Sequence, residues 1–137
     1  MFKSIGATLA VAACALSSTA LAGGHPMRGY DDPAVVTEWN TIAENTIPAS
    51  AGVTLPRPYA MMHIAMFDAA NSIEGGYTPY RVRVHAHRSA SSEAAAAQAA
   101  HDVLTALLPA NTATYDAALA ARLEDIHPIR AQLGVAV

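Results

Sequence analysis

The sequence contains almost no cysteine and almost no lysine, with Cys14 and Lys3 the only examples in 137 residues. A single thiol excludes an internal disulfide and a cluster of thiolate metal ligands. Charged residues make up only 14% of the chain, and the formal net charge is -3. Because an acidic chain with one lysine cannot neutralise a run of phosphates, we expect it to bind neither nucleic acid nor an anionic membrane surface.

The first 22 residues have the pattern of a cleavable secretory signal peptide. Lys3 supplies the positive charge, residues 5–16 are an apolar run, and Ala20-Leu21-Ala22 has the small-x-small pattern read by signal peptidase. The run is too short to span a bilayer, which takes about 20 strongly apolar residues. We therefore predict cleavage after Ala22 and a secreted or periplasmic protein. The alternative is lipid modification of Cys14, because Val11-Ala12-Ala13-Cys14 resembles a lipoprotein box.

Cleavage would leave residues 23–137, a length that fits one small domain. This mature chain has seven arginines against eleven acidic residues, which gives a net charge of about -4 with neutral histidines. Residues 23–32 contain glycine and proline and no apolar period, so we expect a flexible leader. Residues 33–137 are expected to form a helical domain.

Apolar residues recur at three- and four-residue steps through that domain, which predicts an all-α fold. We expect a bundle of about four helices plus the start of a fifth. The first, second and fifth predicted helices begin at Pro33, Tyr59 and Ile129. The third follows a cap at Ser91 or Ser92, and the fourth follows a cap at Asn111 or Thr112. The first four end at Pro48, Ile73, Leu108 and Ile126. Asp31 or Asp32 and Ser91 or Ser92 are expected caps. The second helix is apolar almost all round and is therefore expected at the centre of the bundle.

Two segments depart from this helical pattern. Residues 77–87 alternate polar and apolar side chains, but a lone strand has no partner, so we expect an extended connection. Residues 131–137 carry an apolar pattern without a helix stop signal. We expect the fifth helix only to begin there, and the helical domain to be incomplete at its C-terminal end.

A resemblance to a known family rests on several segments. They are Trp39-Asn40-Thr41-Ile42-Ala43, the block from Arg57 to Glu74 centred on His63-Ile64-Ala65-Met66-Phe67-Asp68, Tyr77-Thr78-Pro79-Tyr80, and the alanine-rich run from Ala94 to Pro109. Together they resemble the N-terminal helical half of bacterial secreted proteins similar to vanadium-dependent haloperoxidases. That superfamily includes the type 2 phosphatidic acid phosphatases. The resemblance covers about residues 33–137.

The resemblance implies that the chemistry lies in segments this sequence does not contain. The family's vanadate or phosphate pocket uses a Lys six residues before an Arg-Pro pair, a Pro-Ser-Gly-His segment, and a Ser-Arg with a later His. Such cationic and imidazole side chains hold a tetrahedral oxyanion. Arg57-Pro58 has no lysine six residues ahead of it, and no Ser-Gly-His occurs. We therefore assign no catalytic residue to this chain, and vanadate is expected only in a full-length family member.

The histidines of the helical domain are candidate bases or metal ligands. His63 and His101 lie on apolar helices, where a core histidine bonded to Asn, Asp or a carbonyl is the favoured interpretation. His85 and His87 would provide only half of a tetrahedral metal site. The arginines beside them disfavour a cation, so an anion-facing or solvated connection is expected.

The predicted mature N-terminus, Gly23-Gly24-His25, offers a different site. Its α-amine, two amides and imidazole supply four nitrogens in a plane, which suits Cu(II) or Ni(II). This site requires cleavage after Ala22.

Two functions are consistent with these patterns. The first is the N-terminal scaffold portion of a secreted haloperoxidase-like or acid-phosphatase-like protein, inactive alone, with the missing catalytic half or a second copy as its partner. The alternative is a small periplasmic helical binding or interaction module that handles copper through Gly23, Gly24 and His25. Whether the chain belongs to an enzyme is left open by the residues present.

Overall fold

The structure is a computed structural model that describes residues 32–48 and 56–137. Five α-helices and no strand occur in those two ranges, which confirms the all-α class. The helices are α1 (Ala34–Thr46), α2 (Pro56–Glu74), α3 (Ser92–Leu107), α4 (Thr112–Glu124) and α5 (Pro128–Val135), with a 3-10 turn at Pro109–Asn111. The predicted signal peptide, Cys14 and the leader at 23–31 lie outside the described residues. None of the described helices is long and apolar enough to cross a membrane.

The central helix is α3, so the prediction that α2 lies at the centre is wrong. α3 contacts α1, α2, α4 and α5, and its alanines at 94–97 and 100 are buried. In contrast, Met61 and Phe67 of α2 are 38% and 40% exposed. An apolar pattern on every side of a helix does not by itself place that helix at the centre of the bundle. The small alanine side chains of α3 allow several other helices to pack closely around it.

The main core lies between α3, α1, α2 and α4. Its largest fully buried side chains are Trp39, Met62, Leu104 and Tyr115, which belong to one cluster. Apolar burial on this scale is the main favourable contribution to folding. This part of the molecule is closed to solvent.

The helix ends lie within about two residues of the predicted positions, except at the start of α2. α2 begins at Pro56 rather than at Tyr59. Pro56 and Pro58 fit within the first turn because amide hydrogens there have no partner inside the helix. The Ser91 side chain caps α3 by accepting the amide hydrogen of Ala94, as predicted. Gly75 follows α2 at a φ of 60°, a conformation that glycine adopts without strain.

α5 packs tightly against the beginning of α3. A Cβ atom added to Gly134 would lie 2.5 Å from the Ser91 carbonyl oxygen and 2.8 Å from the Ala94 Cβ. The Ser91 amide also donates to the Arg130 carbonyl at 3.1 Å. Glycine at position 134 is therefore required for this close approach.

Candidate ligand groove

Asp68 of α2 fixes the extended segment that follows the helix. Its buried carboxylate accepts backbone N–H groups from Tyr80, Arg81 and Val82 at 2.7, 2.8 and 2.8 Å. The burial of the group opposes its ionisation, but these three hydrogen bonds outweigh that effect and lower the pKa of Asp68. Asp68 is therefore a charged anchor for the backbone at residues 80–82.

Asn71 makes a second anchor one turn later. Its side-chain amide donates to the Tyr77 carbonyl at 2.9 Å, and its oxygen accepts the Tyr77 amide hydrogen at 3.1 Å. The Tyr77 ring packs at a tilt against Phe67, with ring centroids 6.1 Å apart. Residues 77–87 form neither helix nor strand, as expected for a connection, with bends at Tyr77, Tyr80 and Arg81. The two anchors were not predicted because they join positions that only tertiary structure brings together.

A groove of about 670 Å³ lies between α2, the anchored segment, α3 and the end of α5. Its surface is mainly apolar and includes small side chains on two helices together with valines on the segment. Representative lining residues are Ile64, Ala65 and Ala69 of α2, Ala95 and Ala99 of α3, and Val82.

Four charged residues line this groove. Arg57 and Arg81 are exposed, and neither guanidinium makes an ion pair or hydrogen bond within the described ranges. The two acids are engaged: Asp68 binds three amides, and Asp102 accepts from Gln98 at 2.8 Å and contacts His101 at 2.8 Å. Among the charged groups of the lining, the two guanidiniums are therefore the ones that have no hydrogen-bond partner within the described ranges.

His63 lies outside the groove and contacts a neighbouring helix. Its Nε2 is 3.2 Å from the Asn40 side-chain oxygen, and the ring is partly buried between α2 and α1. This is the kind of contact expected for a core histidine. His63 also borders a smaller recess of about 400 Å³ that Asp32, Glu93 and mostly apolar residues line.

His101 joins α3 to α4. Its Nε2 lies 2.7 Å from an Asp116 oxygen and its Nδ1 lies 2.8 Å from an Asp102 oxygen. Partial burial disfavours the charged ring, but the hydrogen bonds and negative charges of these two acids raise the pKa of His101. Both ring nitrogens are thus occupied by carboxylates from the protein itself.

His85 and His87 are exposed on the extended segment. The Nδ1 of His87 accepts the Ser89 amide hydrogen at 3.1 Å. Within residues 32–48 and 56–137, no group of three or more metal-ligating side chains is close enough to hold an ion. The predicted copper site at Gly23, Gly24 and His25 lies outside these ranges and stays a prediction.

A cluster around Arg122 was missed by sequence reasoning. This α4 side chain donates from Nε to Glu38 of α1 at 2.8 Å and from an amino group to Glu93 of α3 at 3.1 Å, and a third acid, Asp32, lies 3.4 Å away. Glu93 also accepts the Asp32 amide hydrogen at 3.0 Å. The only signal in the sequence was an acid, Glu93, in an otherwise alanine-rich helix start.

Comparison with known proteins gives no relative: no family model matches the chain, and no curated protein or solved structure matches it.

Proposed function

We propose that this chain is the helical scaffold portion of a secreted haloperoxidase-like or acid-phosphatase-like protein and does not catalyse a reaction alone. The resemblance of the block from Arg57 to Glu74 supports the family, and the all-α fold is consistent with it. Vanadate or phosphate would then bind to segments that are not part of this sequence.

The main support for the proposal is that polar side chains of that block bind other parts of the protein. Asp68 and Asn71 bind backbone groups of the following segment, and His63 contacts Asn40. A general base must lie within hydrogen-bond reach of the proton it removes from a substrate. Because these three side chains are already bonded to the protein, they support a structural role for the block.

The distribution of positive charge supports the same conclusion. An oxyanion pocket needs cationic or amide donors converging on one point, with an imidazole close by in this superfamily. Arg122 is surrounded by acids, and Arg57 and Arg81 line a groove whose described surface includes no histidine. A bound vanadate would therefore lack its ligand here.

Two assays test the proposal. The purified protein should neither brominate a phenol dye with vanadate, peroxide and bromide nor hydrolyse a phosphomonoester above the buffer rate. The gene should continue, after the Val137 codon or in an adjacent frame, into Pro-Ser-Gly-His and Ser-Arg segments. Activity in either assay, or a gene region without such segments, would contradict the scaffold function.

A small binding module is the second candidate, and the groove favours it. A recess of about 670 Å³ is within the range of small-molecule sites, which is about 300–1,000 Å³. A folded monomer with no partner would support this candidate. Its copper-binding form is tested by titrating Cu(II) into the protein with a free and a blocked N-terminus, because only the free α-amine completes the four-nitrogen site.

A further inference from the structure

The walls of the groove are held in place by contacts outside it. On one side, Asp68 accepts three backbone amides and so fixes residues 80–82. On the other, Gly134 brings α5 against α3, and the Ser91 amide donates to the Arg130 carbonyl. A recess whose walls are fixed before binding loses less conformational entropy when a ligand enters.

The chemistry of the lining selects an amphipathic ligand. Alanine, isoleucine and valine side chains cover most of the surface, which favours an aliphatic body without polar groups. A small inorganic anion would leave this apolar surface uncovered.

The two arginines of the lining select an anionic end. Arg57 and Arg81 have no acidic partner within the described ranges, whereas Asp68 and Asp102 are already hydrogen-bonded. A guanidinium binds a carboxylate through two parallel hydrogen bonds, which makes arginine well suited to this group.

We propose that the groove binds a free fatty acid of medium length. The aliphatic chain lies on the alanine-rich surfaces of α2 and α3, and the carboxylate is bound by one of the two lining arginines, Arg57 or Arg81. This inference goes beyond the scaffold function and does not depend on it. Its failure would leave the assays of that function unaffected, because they measure different properties.

Isothermal titration of the purified protein with decanoate tests the proposal, with decanol as the uncharged probe of equal chain length. We expect saturable binding of one decanoate, about tenfold tighter than decanol, a ratio that corresponds to about 1.4 kcal/mol. The double variant Arg57→Gln with Arg81→Gln should bind decanoate about tenfold more weakly and should bind decanol with unchanged affinity. Arg83→Gln is the matched control, because Arg83 is exposed on the same segment but does not line the groove.

A third variant tests the location of the aliphatic chain. Ala99→Leu should lower the binding affinity for decanoate and for decanol alike, because Ala99 lines the groove. The proposal is overturned if decanoate shows no saturable binding, if decanol binds as tightly, or if Arg83→Gln has the effect of the double variant. It is also overturned if sedimentation shows a dimer that Ala99→Leu abolishes, since the groove would then be an interface between two copies. Circular dichroism of each variant verifies that it is folded.

Discussion

α3 meets different surroundings on its two sides. Ala97, Ala100 and Leu104 are fully buried in one cluster with Trp39 of α1 and Tyr115 of α4. Ala95, Ala99 and Val103 instead border the groove. We call the side of α3 that packs against Trp39 and Tyr115 the closed side. We call the side that borders the groove the open side.

The charged residues follow the same division. On the closed side, Arg122 binds Glu38 and Glu93, and His101 binds Asp116. On the open side, Arg57 and Arg81 have no acidic partner among the described residues. The comparison indicates that the ion pairs of the closed side stabilise the fold, whereas the two arginines of the open side are available to a ligand.

The largest expected effect is on the closed side, at Trp39. Trp39→Ala should lower the free energy of unfolding by about 3–5 kcal/mol, because the side chain is fully buried and its loss leaves a cavity. Urea denaturation followed by circular dichroism measures the change. Val36→Ala, in the same helix at a 42% exposed position, should change it by less than about 1 kcal/mol. Equal losses would show that α1 is not packed as described.

Arg122→Met should lower the free energy of unfolding by about 2–3 kcal/mol, because it leaves Glu93 and Glu38 without their cationic partner. Glu93 is 7% exposed, so water cannot fully replace that partner. The same denaturation measurement applies. Arg83→Met is the control, because Arg83 is exposed on the segment that follows α2, and the two variants should differ by more than about 1 kcal/mol.

Asp68→Asn should cost about 1–3 kcal/mol, because a neutral amide replaces a carboxylate that accepts three amide hydrogens. The pKa of Asp68 is lower in the folded protein than its ordinary value of 3.8. The contribution of Asp68 to the free energy of unfolding is therefore complete above pH 3.8. It is lost as the pH falls through the lower pKa of the folded protein. Denaturation curves at successive acidic pH values should show a shallower loss for Asp68→Asn than for the unmodified protein. Parallel curves would contradict this anchor.

The smallest expected effect is at His101. The pKa of His101 is raised above 6.5. Its contribution to the free energy of unfolding is therefore complete below pH 6.5 and is lost as the pH rises through the pKa of the folded protein. Asp102 and Asp116 are largely exposed, so the contribution should be about 0.2–1 kcal/mol. NMR titration of the His101 ring should give a pKa above 6.5. A value at or below 6.5 would rule out the pairing with Asp116.

The positions of the helices could be predicted from local signals in the sequence. Apolar spacing located all five helices, and the Ser91 cap and Gly75 stop mark their ends because these act over a few residues. The central helix could not be predicted. The apolar surface of α2 is more continuous in sequence, yet the small alanines of α3 allow closer packing.

The groove was also beyond prediction from sequence. It depends on Asp68 reaching the backbone of residues 80–82 and on α5 returning to α3 through Gly134. Both contacts join residues that are far apart along the chain. A single aspartate in an apolar helix was a visible signal, but its partners were backbone groups, which carry no sequence pattern.

The contrast between the two sides of α3 is tested most directly by the free energies of unfolding of Ala97→Leu and Ala99→Leu. The two positions lie about 200° apart around one helix, and alanine and leucine differ little in helix propensity. Ala97→Leu should cost about 1–3 kcal/mol, because the closed side has no space for a larger side chain. Ala99→Leu should change the free energy by less than about 0.5 kcal/mol, because its side chain can extend into the groove. Equal costs at the two positions would contradict the account.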